Sequence, residues 1–141
     1  MGTLVNSGRL SVPAVLAQSP LNTPDRDVFA GGVAPGAVAA DAPVEGPNGC
    51  WLLDHLGRDF VLMTFGRVAD ELRQEAIACR IVSIAEGEGA VRDVEGLVAR
   101  RYDGRAGTCY LVRPDQHVCA RWRAFDPAAV RAAIARATSR G

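Results

Sequence analysis

The chain has 141 residues, 48% of them hydrophobic, which is enough to bury one core. Its formal charge at pH 7 is zero, so no electrostatic argument points to nucleic acid or an anionic membrane as a partner. All 16 basic residues are arginine, and they are scattered along the chain rather than gathered into a phosphate-binding patch. No apolar run is long enough to span a bilayer. Ser11 and Pro13 interrupt what little in Arg9 to Gln18 resembles a secretion signal, and Asn6 removes the match to a myristoylation start. The four cysteines, Cys50, Cys79, Cys109 and Cys119, form no CxxC pair, so neither a zinc site nor a dithiol is encoded locally. Small buried hydrophobes in a reduced, cytoplasmic setting are the expectation for all four.

The first 47 residues differ in kind from the rest. Six of the eight prolines fall there, with Gly31, Gly32 and Gly36 as further breaks, so no helical or strand period survives. Yet Leu10, Val12, Val15, Leu16, Leu21, Val28, Phe29, Val33 and Val38 make the segment too apolar for a solvated linker. Residues 1–47 are expected to be an extended arm or interdomain connector. It needs a docking surface, and three candidates stay open: its own core, a second copy of the chain or a larger protein. The stretch from Val12 to Phe29 is expected to cross to a second chain or to face a neighbouring domain.

Residues 48–141 carry a regular pattern. Trp51 to Leu56 reads as a short strand or turn. Phe60 to Phe65 is an apolar run of strand length. Arg67 to Ala78 predicts a helix from Val68, Leu72 and Ala76 at spacings of four. Arg80 to Ala85 is a β-branched strand. Val91, Val94, Leu97 and Val98 predict a second helix, ending near Tyr102 and Asp103 before Gly104. Thr108 to Trp122 reads as two strands around a turn set by Pro114, with Asp115 and Gln116 as turn-tolerant side chains. In the second strand Val118, Ala120 and Trp122 share an apolar face opposite His117, Cys119 and Arg121. Asp126 and Pro127 then open a terminal helix, with Val130, Ala133, Ile134 and Ala137 on one side. The order β-α-β-α-β-β-α predicts an α/β fold, a thioredoxin-like mixed sheet whose first two strands are parallel.

The arm sequence with Ser19-Pro20-Leu21-Asn22, Pro35-Gly36 and Asp41-Ala42-Pro43, followed by Leu52-Leu53-Asp54 with Gly57 and then Arg113-Pro114-Asp115, resembles the C-terminal region of FAD-dependent aromatic hydroxylases. The likeness is to the phenol hydroxylase and 3-(3-hydroxyphenyl)propionate hydroxylase type and runs from about Ser7 to the terminal helix. It implies a thioredoxin-like domain that follows the flavin and substrate domains and serves packing and oligomer contacts rather than chemistry. FAD and NAD(P)H are implied for the parent enzyme and none for this chain. The implied partners are the parent's flavin/substrate domain or a second copy in a homodimer, with no nucleic acid and no membrane. Gln116 departs from the family, where glycine more often follows Pro-Asp, and this leaves the turn type open.

No residue is assigned as catalytic, cofactor-binding or metal-ligating. Gly87-Glu88-Gly89-Ala90-Val91-Arg92 imitates a dinucleotide turn but lacks its third glycine, so a plain loop is expected. The stretch Gly66 to Asp70, where thioredoxins carry their dithiol, has no cysteine. His55 and His117 are expected in surface or turn roles. Asp70, Glu71 and Glu75 with Arg67 and Arg73 read as a solvated helix face. Arg100-Arg101 would either grip an anion or complement a helix end. Trp51 and Trp122 read as core anchors. Two other readings stay open: a single-cysteine redox protein using Cys79 or Cys119, and a free-standing interaction module.

Overall fold

The computed structural model describes residues 21–66, 79–87 and 89–138. A small hairpin comes first, β1 (Pro43–Gly46) and β2 (Gly49–Trp51), followed by a 3-10 turn at Leu52–His55. The main sheet holds β3 (Val61–Phe65), β4 (Arg80–Ile84), β5 (Cys109–Val112) and β6 (Val118–Trp122) in the order β4-β3-β5-β6. β3 and β4 are parallel, while β3–β5 and β5–β6 are antiparallel, giving the expected mixed α/β sheet. Helix α1 (Leu97–Arg101) precedes β5, and α2 (Pro127–Thr138) follows β6. The helix expected over Arg67–Ala78, with its charged residues, lies outside the described residues.

The central strand β3 is buried at every position, as its unbroken apolar run requires. Its side chains alternate between two cores. Val61, Met63 and Phe65 join Val82, Ile84, Tyr110 and Val112 on one face, and Leu62 joins Leu111, Cys109 and Trp122 on the other. The first face is completed by residues expected in the arm: Val33, Ala39, Ala42 and Val44 are all buried there. The second is covered by α2 through Val130 and Ala133, with Trp122 only 2% exposed against them. Asp126 caps α2 as expected, its Oδ1 accepting from Ala128 N at 3.1 Å and Ala129 N at 3.4 Å.

Several expectations are corrected. Trp51 is 49% exposed rather than a core anchor, because it ends β2 on the outer side of the small hairpin. The second helix is one short turn, because Val91 and Arg92 are extended and bridge Ile84 and Glu45. Asp93 then starts the helix from below, accepting from Val98 N and Ala99 N, and leaves Val94 partly exposed. In β6 the pairing slips between Leu111 and Val112, so Val118 faces the first core and Ala120 and Trp122 the second. Arg121, on the face opposite Trp122, is buried as well.

Candidate functional site

The segment from Leu21 to Asp41 lies on the core of its own chain. It covers β6, the edge strand of the sheet, whose backbone groups would otherwise be open to pairing. Thr23 N–H donates to Cys119 O at 2.8 Å, Gly36 N–H to Val118 O at 2.7 Å, and Val118 N–H to Ala37 O at 2.9 Å. Side chains lock the same contact. Asp25 receives a forked pair from Arg121, Nε to Oδ1 at 3.0 Å and Nη2 to Oδ2 at 2.8 Å. Arg121 Nη1 also donates to Gly31 O at 2.8 Å. Burial opposes the Arg121 charge, yet the bonds to Asp25 and Tyr110 raise its pKa above the ordinary value. Phe29 sits between two guanidinium groups, Arg121 at 4.1 Å and Arg123 at 3.9 Å from its ring centre.

Two tyrosines and one acid complete this clamp. Tyr110 Oη donates to Tyr102 O, Tyr102 Oη donates to Ala40 O, and the two rings meet edge to face at 4.9 Å. Burial raises both phenol pKa values. Gly32 passes so close that a Cβ there would stand 2.6 Å from Tyr110 Oη, and its φ of +73° also favours glycine. Asp103 ends α1 in the left-handed region at φ 48°, while Gly104 N–H donates back to Ala99 O at 2.8 Å. From that position its carboxylate accepts from Ala30 N and binds Arg123, and these contacts hold its pKa below the usual carboxylate range. Sequence reading missed Asp25, Asp103, Arg121 and Arg123. The alternation Asp25-Arg26-Asp27 facing Arg121-Trp122-Arg123 was the available signal.

The groups singled out for chemistry are held elsewhere. All four cysteines are free. Cys109 and Cys119 are buried as expected, with thiol pKa values pushed up to about 12 by burial. Cys79 is half-buried and raised to about 11 by the same cause. A reactive thiol needs the opposite shift. Cys50 is exposed, contrary to expectation, because it lies on β2 outside both cores. His55 is also contrary to expectation: it is 2% exposed. Its Nε2 accepts from Asn48 N–H at 3.2 Å and its Nδ1 lies 3.2 Å from Trp51 O, which makes it a staple for the β1–β2 hairpin. His117 flanks the turn, with Nδ1 3.4 Å from Asp115 Oδ1. Beyond Gly89 the backbone is extended at Val91, which bridges Ile84, so the helix that a dinucleotide turn needs does not follow. Arg100 and Arg101 close α1, where Arg101 donates to Asp41 O. Among the described residues no group of three or more His, Cys, Asp or Glu is placed to hold a metal ion, and no helix is long and apolar enough to cross a membrane.

One polar cleft, of about 490 Å³, lies beside the 3-10 turn and is lined by Asn48, Asp54, Gly57, Arg58, Asp59 and Arg80. Beside its Gly57, Gln116 resolves the open turn question. It adopts φ 67°, and its Nε2 donates to Leu53 O and Leu56 O, both at 3.1 Å.

No protein-family model and no curated protein matches the chain. Solved structures do. The flavin-dependent monooxygenase PieE, in complex with FAD and substrate, aligns over 88% of this chain at 28% identity with a TM-score of 0.61. Aklavinone-11 hydroxylase, with FAD and aklavinone, aligns over 90% at 25% identity and 0.61. RebC with bound 7-carboxy-K252c aligns over 84% at 26% identity and 0.55. The chain spans only 24%, 25% and 22% of those three proteins. It is therefore related in structure to about a quarter of a flavin-dependent monooxygenase.

Proposed function

We propose that this chain is the non-catalytic, thioredoxin-like C-terminal domain of an FAD-dependent aromatic-ring monooxygenase, with its connecting arm. The reading rests on one observation above all. Nearly the whole chain overlaps with monooxygenases bound to FAD, yet it accounts for only about a quarter of their length. In the parent enzyme, the remaining polypeptide would hold FAD, draw hydride from NAD(P)H and hydroxylate a phenolic ring, as the resemblance to phenol hydroxylases suggests. The domain's role is then packing, against the flavin/substrate domain or a second copy in a cytoplasmic homodimer.

The thiol-redox alternative is less well supported, because burial raises the pKa of both cysteines it would use. The test is direct. The purified chain, incubated with excess FAD and desalted, should emerge colourless, and it should not reduce insulin disulfides. Light scattering should give a dimer. Stoichiometric retained flavin, or turnover lost with a single Cys→Ser change, would overturn the non-catalytic reading.

A further inference from the structure

We propose that the polar cleft beside the Leu52–His55 turn is a carboxylate-binding site anchored by Arg58. This stands on the chain's own geometry and does not depend on the monooxygenase reading. The first observation is the backbone. Gly57 and Arg58 both have positive φ, 102° and 70°, and the second is strained for a residue with a side chain. The second is how firmly that loop is held. Arg80 Nη2 donates to Gly57 O at 3.1 Å and His55 O at 3.3 Å, Gln116 Nε2 holds Leu56 O, and Arg58 N–H donates to Pro114 O at 3.2 Å. Such bonds fix the backbone from which the exposed Arg58 side chain projects.

The third observation is what that side chain lacks. Three other arginines that line clefts are matched to carboxylates: Arg26 to Asp126, Arg80 to Asp59 and Arg92 to Glu45. Among the described residues the Arg58 guanidinium has no hydrogen bond or ion pair, though it lines a cleft of about 490 Å³. Of the two acids in the cleft, Asp59 is paired with Arg80, and Asp54 accepts from Trp51 N–H at 3.3 Å without an ion pair to Arg58. A guanidinium fork matches a carboxylate in shape and charge, and the Asn48 side-chain amide in the same lining adds a neutral donor. The carboxylate can come from a small molecule or from a Glu or Asp of a polypeptide seated on this face.

The experiment follows arginine Nε–Hε and backbone amide resonances of the full chain by NMR. Sodium acetate and a blocked Gly-Glu-Gly peptide are titrated separately, with sodium chloride as the ionic-strength control. Arg58 Nε and the Gly57 and Asp59 amides should shift saturably with both carboxylates and not with chloride. A peptide at least threefold tighter assigns the site to a protein side chain, and equal affinity assigns it to free carboxylates. Arg58→Gln should weaken binding at least tenfold, as should Arg58→Gly, which relieves the backbone strain and so keeps the fold. Arg100→Gln should leave it unchanged. Linear shifts equal to those with chloride, or saturable binding that survives in Arg58→Gly, would overturn the proposal.

Discussion

Arg121 and Asp25 stand 96 residues apart in sequence and meet in a two-bond fork on the edge of the sheet. Arg121 is almost wholly buried, while Asp25 is one-third exposed, so the pair is partly screened. Asp25→Asn leaves the guanidinium buried with a weaker partner. A loss on the order of 2 kcal/mol is expected, the scale of a hydrogen bond to a charged group. Urea unfolding of the two proteins measures it. A loss under about 0.5 kcal/mol would show that the fork contributes little to holding the segment down.

The Leu21–Val44 segment is expected to be part of the folding unit, since its Val33, Ala39, Ala42 and Val44 fill one core. Each buried valine contributes roughly 1.5–3 kcal/mol. Deleting residues 1–43 should abolish cooperative unfolding followed by circular dichroism. A cooperative transition in the shorter protein would mean that β3 to α2 stand alone.

Gln116 tests the turn. A left-handed residue with a side chain costs roughly 1–2 kcal/mol, and each of its two side-chain hydrogen bonds returns about 0.5–1.5 kcal/mol. Gln116→Gly removes both effects and should change stability by less than about 1 kcal/mol. Gln116→Val keeps the strained backbone, loses both bonds and should cost roughly 2–3 kcal/mol. Equal losses in the two variants would show that the strain is negligible.

Trp122 probes the other core. Trp122→Ala should cost roughly 3–5 kcal/mol, because the ring is buried against Val130 and Ala133. A loss below about 1 kcal/mol in thermal unfolding would contradict that packing.

Stability should fall at both ends of the pH scale. Asp103 and Asp126 have lowered pKa values in the fold, so their contribution is present above the ordinary value of 3.8 and is lost as pH falls through the folded values. Cys79, Cys109 and Cys119 are raised from 9.0 to about 11 or 12, so their contribution is present below pH 9 and is lost as pH rises towards those values. In native protein at pH 8, a disulfide reagent should modify Cys50 quickly and Cys109 and Cys119 only after unfolding. Fast native modification of Cys119 would contradict its burial.

The strands and the terminal helix were legible because local pattern decides them: β3 is one apolar run, and Asp126-Pro127 marks a helix start whatever surrounds it. The clamp was not legible, because Phe29 and Arg123 read as ordinary arm and strand residues until the fold brings them together. His55 and Trp51 were exchanged in expectation for the same reason. A β1–β2 hairpin turns the polar ring inward to two backbone groups and the larger apolar one outward, and no period in the sequence encodes that. The mismatch at Val91 arose because Asp93, not the apolar spacing, starts α1.

Under the proposed function, this chain forms part of a flavin-dependent monooxygenase. The most direct measurement is the size of the native polypeptide that carries it. Antibodies raised against residues 48–141 should capture, from the source cells, a protein several times longer than 141 residues with FAD bound and NAD(P)H-dependent uptake of oxygen with a phenolic substrate. Capture of a flavin-free polypeptide of 14.9 kDa as the sole species would contradict it.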